Sequence, residues 1–291
     1  MFCKDYSEKG LKAIFLHVIK IGYHMAIFQK INGLVMQFGK MFYEKIEHAL
    51  KLYQQLHVTY DVELVHKFRV TLRKMYAYNS LFGKEIDKAK TKECKAILKS
   101  VIKPTSLLRD LDLILLEIEE LPVQADTKAF LMQEFTKLQN REKEIILAPS
   151  YQKRLEELEQ YLKNSEQFLE NISYIGIYAV LTDFQNRLLK KFLKINAHTS
   201  AVKLHELRKE FKMFRYALDC YNEQCQFERK EIESFFNLKK LQDLFGVIQD
   251  NHTRMELIAL LQLDIGEKIA LEQYFSLQSE NAKQQLLVLA R

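Results

Sequence analysis

Residues 65–82 read VHKFRVTLRKMYAYNSLF, and residues 204–221 read LHELRKEFKMFRYALDCY. Identity between them is low, but residue classes align at an offset of 139. His66 aligns with His205, Arg69 with Arg208 and Arg73 with Lys212. Val65, Phe68, Leu72 and Met75 align with Leu204, Leu207, Phe211 and Phe214. A second pair lies downstream, SLLRD at 106–110 and GVIQD at 246–250, at an offset of 140. Two matched blocks in one order, at nearly one spacing, point to a duplicated helical half.

Each helical residue advances about 100° around the axis. His205, Arg208, Lys212 and Arg215 therefore fall within a stripe of roughly 80°. Leu204, Leu207, Phe211, Phe214 and Leu218 make a separate apolar stripe beside it. In the first copy His66, Arg69 and Arg73 repeat the basic stripe beside Val65, Phe68, Leu72 and Met75. The cations thus stack along the edge of the core instead of scattering over the solvent face.

Like charges at these spacings repel by a few tenths of a kcal/mol per pair, roughly. No acid occurs between Glu63 and Glu85 to relieve the first stripe. A polyanion would neutralise it, and a chain of phosphates suits a line of Arg, Lys and His. Histidine beside phosphate would be drawn toward its charged form.

Composition agrees with a helical protein. Only 8 Gly and 3 Pro occur in 291 residues, too few for turn-rich β architectures or doubly wound α/β folds. Helical periodicity predicts helices at 41–57, 61–83, 87–102, 107–119, 126–146, 151–171, 174–195, 201–224, 228–245, 251–263 and 267–289. Pro104, Pro122 and Pro149 fall at joints, and Gly246 and Gly266 at expected C-terminal stops. Short linkers predict antiparallel neighbours.

Net charge is +6, but six lysines against Asp5 and Glu8 place +4 in residues 1–43. Residues 1–40 therefore read as a basic, apolar extension, followed by a first helical half at 41–150 and a second at 151–291. The apolar stretch from Leu11 to Phe38 is broken by Lys12, Lys20 and Lys30, so neither a membrane span nor a secretory signal is expected. Cys3, Cys94, Cys220 and Cys225 form no CxxC pair, which suits a reducing cytoplasm and gives them no assigned role. The 14 Tyr and 19 Phe sit mostly at core spacing, which favours packing over base stacking.

The segments VHKFRVTLRK and LLRDLDLILLEI, then LHELRKEFKMFRYALD and LKKLQDLFGVIQD, resemble the CHAD family, the conserved histidine α-helical domains. The resemblance spans roughly residues 41–291. It implies an all-α fold of two pseudo-symmetric antiparallel bundles around a central basic groove or pore. It also implies binding of inorganic polyphosphate and association with polyphosphate granules. Carried over by motif, the binding residues are His66, Arg69 and Arg73, then His205, Arg208, Lys212 and Arg215. Lys74, Arg109, Lys209, Lys239 and Lys240 are supporting cations in the same expected set. The chain departs from the family at Tyr76, where Arg is frequent, and at Ser106, where Gly is usual. Gln249 opposite Arg109 makes the halves chemically unequal.

Asp110, Asp112 and Asp250 read as helix caps or partners of the arginines rather than magnesium ligands. No GxxxxGK segment followed by Ser or Thr occurs, and no cofactor is expected. Two other functions fit a phosphate-binding face: a metal-dependent polyphosphate or triphosphate hydrolase, and nucleic-acid binding. Positioning contacts to phosphate carry no sequence information, so the pattern alone does not separate these polyanions.

Overall fold

The computed structural model describes residues 35–36, 38–83, 87–165, 172–225 and 238–290. The fold is all-α: α1 (Phe38–Val58), α2 (Val62–Phe82), α3 (Lys88–Ile102), α4 (Thr105–Glu117), α5 (Ala125–Leu147), α6 (Pro149–Ser165), α7 (Tyr174–Phe192), α8 (Ala201–Cys225), α9 (Leu238–Ala259) and α10 (Ile265–Ala290). A 3₁₀ turn at Ile118–Glu120 extends α4. Two-residue strands, β1 (Val35–Met36) and β2 (Ile172–Ser173), pair antiparallel. The expected extension at 1–40 lies outside the described residues apart from residues 35–36 and 38–40, as do Cys3 and the side chains of Cys220 and Cys225. Among the described residues, no helix is long and apolar enough to cross a membrane.

Local chemistry sets the helix starts. Asp61 in extended backbone accepts from the Leu64 amide at 2.9 Å, so α2 begins at Val62. Asp87 does the same for Ala89 and Lys90 at 2.8 and 3.1 Å, starting α3. Between them α2 and α3 approach closely at Gly83, where a Cβ would stand 2.5 Å from Thr91 Oγ1. Asn79 completes the corner by donating to the Thr91 carbonyl at 2.9 Å. Pro149 is the first residue of α6 and Pro104 immediately precedes α4, as the sequence suggested.

Two glycine readings are corrected. Gly246 does not stop a helix; α9 runs through it as one helix where two were expected. Leu241 and Phe245 before it and Leu257 and Ile258 after it are all buried. One interior glycine costs about 1 kcal/mol, less than burying any one of those side chains supplies, at about 1.5–3 kcal/mol each. Gly266 lies in the first turn of α10, where its amide donates to Asp264 Oδ1 at 2.8 Å.

The apolar stripes of both motifs point inward. Val65, Phe68, Leu72 and Met75 of α2 are fully buried, and Leu204, Leu207, Phe211 and Phe214 of α8 are at most 6% exposed. They belong to a large core that draws on helices from both sides of residue 150. A smaller core joins Leu111, Ile114 and Phe135 of α4 and α5 to Leu257, Leu271 and Phe275 of α9 and α10. Helix α2 packs on α1, α3, α4 and α8, and α8 packs on α2, α7 and α9. The two motif helices are therefore in direct contact, and their cation stripes meet.

Candidate anion-binding site

With the apolar stripes buried, the adjacent basic stripes are carried into a half-buried zone between α2 and α8. Arg69 is 9% exposed, Arg73 and Lys212 lie within electrostatic reach of it, and Arg208 lies within reach of both Arg73 and Lys212. Burial, then the charges of Arg208 and Arg73, push Lys212 down to about 7. Burial, then Arg73, pull Arg69 down to about 10, so it stays cationic at neutral pH. Burial lowers Arg208 as well, against the attraction of Asp250. His66 is lowered by burial first and by Arg109 next, with Lys212 and Arg69 adding to this. In the free protein it therefore favours the neutral form, and a bound anion would reverse this.

The two arginines at matched positions are held differently. Arg69 Nη1 donates to Thr105 Oγ1 at 2.8 Å, Ser106 Oγ at 3.0 Å and the Ile102 carbonyl at 3.2 Å. It clamps the joint between α3 and α4 with neutral acceptors. Ser106 supplies one of them. Arg208 instead pairs with Asp250 at 3.2 Å, while its Nε is buried without a hydrogen-bond partner among the described residues. His205 Nδ1 meets Gln249 Oε1, so the ring donates there and Nε2 is the acceptor when the ring is neutral. Gln249 Nε2 in turn donates to Thr253 Oγ1 at 3.4 Å.

A cavity of about 750 Å³ opens beside this zone, between α2, α8, α9 and α10. Its basic residues are His66, Lys74, Arg208, Lys212, Arg215 and Arg254, and its acids are Glu117, Glu120, Asp219, Asp243 and Asp250. The lining is thus mixed in charge. Arg208 faces Asp250, Arg254 faces Glu117, and Arg215 lies 3.8 Å from Asp219 while donating to Gln242 Oε1 at 2.5 Å. The side chains of Lys212 and Arg73 make no hydrogen bond or ion pair among the described residues.

Of the other expected residues, Lys74 lines the cavity and the rest lie outside its lining. Arg109 reaches the Val62 carbonyl at 3.5 Å. Lys74 pairs with Glu223 at 2.6 Å. Lys209 is half exposed and pairs with Glu206 on the outer face. Lys239 and Lys240 are exposed at the start of α9, away from the cavity lining. Asp110 is raised by burial, with Arg69 and Arg208 opposing the shift and Asp250 adding to it. Among the described residues, Asp112 neither caps a helix nor pairs with an arginine. Its Oδ1 accepts from the Tyr60 hydroxyl at 2.5 Å and from Gln139 at 2.7 Å, tying α4 to α5 and to the α1–α2 corner. Cys94 is buried, and burial pushes its thiol up to about 12. Among the described residues, no three His, Cys, Asp or Glu side chains cluster as a metal site would.

Arg254 is the residue that sequence reasoning missed. It is mostly buried, pairs with Glu117 and donates to Asn251 Oδ1 at 2.6 Å. Treating Gly246 as a stop hid the signal. In one continuous helix Arg254 stands one turn beyond Asp250, on the same face.

The profile of the CHAD domain matches residues 41–259. Among curated proteins none matches this chain. Two solved structures share its fold. One is the crystal structure of the CHAD domain from the plant Ricinus communis, at 16% identity and a TM-score of 0.65, covering 87% of this chain and 86% of that one. The other is PptA from Streptomyces chartreusis, at 13% identity and a TM-score of 0.65, covering 87% of this chain and 96% of that one. With its two histidine-bearing helices packed together and the family profile matched over most of its length, this chain belongs to the CHAD domain family.

Proposed function

We propose that this protein binds inorganic polyphosphate along the zone between α2 and α8, as a binding module rather than an enzyme. The carrying observation is that His66, Arg69, Arg73, Arg208 and Lys212 converge from two helices, with Asp110 and Asp250 partly offsetting the arginines. Family membership supports the same reading, since CHAD domains are associated with polyphosphate. In this reading Arg73, Arg208, Lys212 and His66 contact phosphate directly. Arg215, Lys74 and His205 flank them, and Arg69 holds the joint and adds its field. Arg109, Lys209, Lys239 and Lys240 contribute at longer range. The two halves, 41–150 and 151–291, each supply one stripe, and the protein acts in the cytoplasm, on polyphosphate granules.

Binding of this kind releases counterions. With about five phosphates neutralised, affinity should fall by about 100-fold between 50 and 200 mM salt. Titration of polyphosphate of defined length at both salt concentrations tests this. Absence of binding at low salt, or binding indifferent to salt, contradicts it. If short polyphosphate failed to displace bound DNA or RNA, the partner would be nucleic acid instead.

A further inference from the structure

A second cavity, of about 500 Å³, adjoins the first along α2 and continues toward α1. His66, Val70 and Lys74 line both cavities, at one-turn intervals along one face of α2. At its floor Lys45 of α1 and Lys74 of α2 converge on Glu223 of α8, with Nζ to carboxylate distances of 2.9 and 2.6 Å. The two lysine side chains are only 16% and 19% exposed, while Glu223 is 45% exposed. Ammonium groups that sheltered are not left unpaired, because burying an uncompensated charge is costly. Burial opposes ionisation of Glu223, yet hydrogen bonds from Lys74 and Lys45 overcome it and hold its carboxyl below the ordinary value. Lys67 and His48 stand at the same cavity, with Glu44 and Glu63 as the remaining acids.

We propose that the gap between Lys45 and Lys74 is a second phosphoryl subsite, filled by the Glu223 carboxylate in the free protein and taken over by a polyphosphate chain. The proposal rests on the polyphosphate reading and deepens it. Three helices bring two cations and one anion to a single point, and a phosphoryl group offers both lysines more oxygens and more local charge than a carboxylate. Glu223 is exposed enough to swing away, whereas the lysines are not. A short anion must displace Glu223 unaided. A chain already held in the larger cavity presents its next phosphates along Lys74 at high effective concentration. Glu223 thereby sets a length threshold.

The test is affinity for long-chain polyphosphate in the wild type, Glu223→Gln, Glu223→Gln with Lys45→Ala, and Glu206→Gln. The last removes one acid from the outer face and controls for net charge. Glu223→Gln is expected to tighten binding about fivefold, Lys45→Ala to abolish that gain, and Glu206→Gln to change affinity by less than about twofold. A gain in Glu223→Gln no larger than in Glu206→Gln, or one that survives Lys45→Ala, overturns the subsite. No polyphosphate binding by the wild type would instead sink the function proposed above. The subsite is then judged by whether tripolyphosphate protects Lys45 and Lys74 from amine acetylation in Glu223→Gln; no protection there overturns it.

Discussion

The first motif helix and the second carry the same residue classes at the same spacing, yet they spend them differently. On α2, Arg69 is closed off by two hydroxyls and a carbonyl at the α3–α4 joint. On α8, the matched Arg208 faces a carboxylate across the site, and among the described residues its Nε has no hydrogen-bond partner. An arginine bonded to neutral groups of its own scaffold holds the fold. An arginine paired with one displaceable acid can exchange that acid for a ligand. Matched spacing thus puts cations on both helices, and local acceptors decide which become structural.

Breaking this contrast should produce its largest effect at Arg69. Arg69→Ala removes three hydrogen bonds and a buried side chain from the α3–α4 joint, leaving Thr105 Oγ1 bonded only to the Ile102 carbonyl, and costs about 3 kcal/mol. Denaturant unfolding measures this, and a loss near that of an ordinary surface lysine would refute the clamp. Arg208→Ala should leave stability within about 1 kcal/mol while weakening polyphosphate binding by about 20-fold or more. Equal loss of stability in both variants would erase the distinction.

Lys212 sharpens the contrast through pH. Its folded value of about 7 lies below the ordinary lysine range, so in the free protein it loses its proton as pH rises through 7. A polyanion favours the charged form, so binding takes up a proton above that point. Affinity should fall about fivefold between pH 7 and 8, and Lys212→Arg should flatten the profile. Stability runs the other way. The unfolded chain binds the extra proton between pH 7 and the ordinary lysine value, so this group makes the fold more stable as pH rises through that window. Lys212→Met should raise the thermal midpoint at pH 6 while weakening binding. The smallest effect belongs to Ser106→Gly, which removes one acceptor from Arg69. It should cost about 1 kcal/mol of stability and leave affinity unchanged.

Much of this was legible in the sequence. The apolar stripes of both motifs are buried as periodicity required, because a 3.6-residue repeat forces one face inward whatever its neighbours are. The adjoining basic stripe followed from the same geometry. Which cations would be tied down did not, because Thr105, Ser106 and Ile102 come from another helix joint. Arg254 was concealed by reading Gly246 as a stop, a local rule that burial on both sides of the glycine overrode. The acids that offset the cavity cations were equally hidden. Glu117 is 137 residues from Arg254, and Glu223 is 178 residues from Lys45, so only the packing of helices pairs them.

The most direct test is a crystal structure grown with polyphosphate. The account predicts phosphorus positions in a line between α2 and α8, with oxygens in hydrogen-bond reach of Arg73, Arg208 and Lys212. Phosphates confined to Lys209, Lys239 and Lys240 on the outer surface, with Arg208 still paired to Asp250, would contradict it.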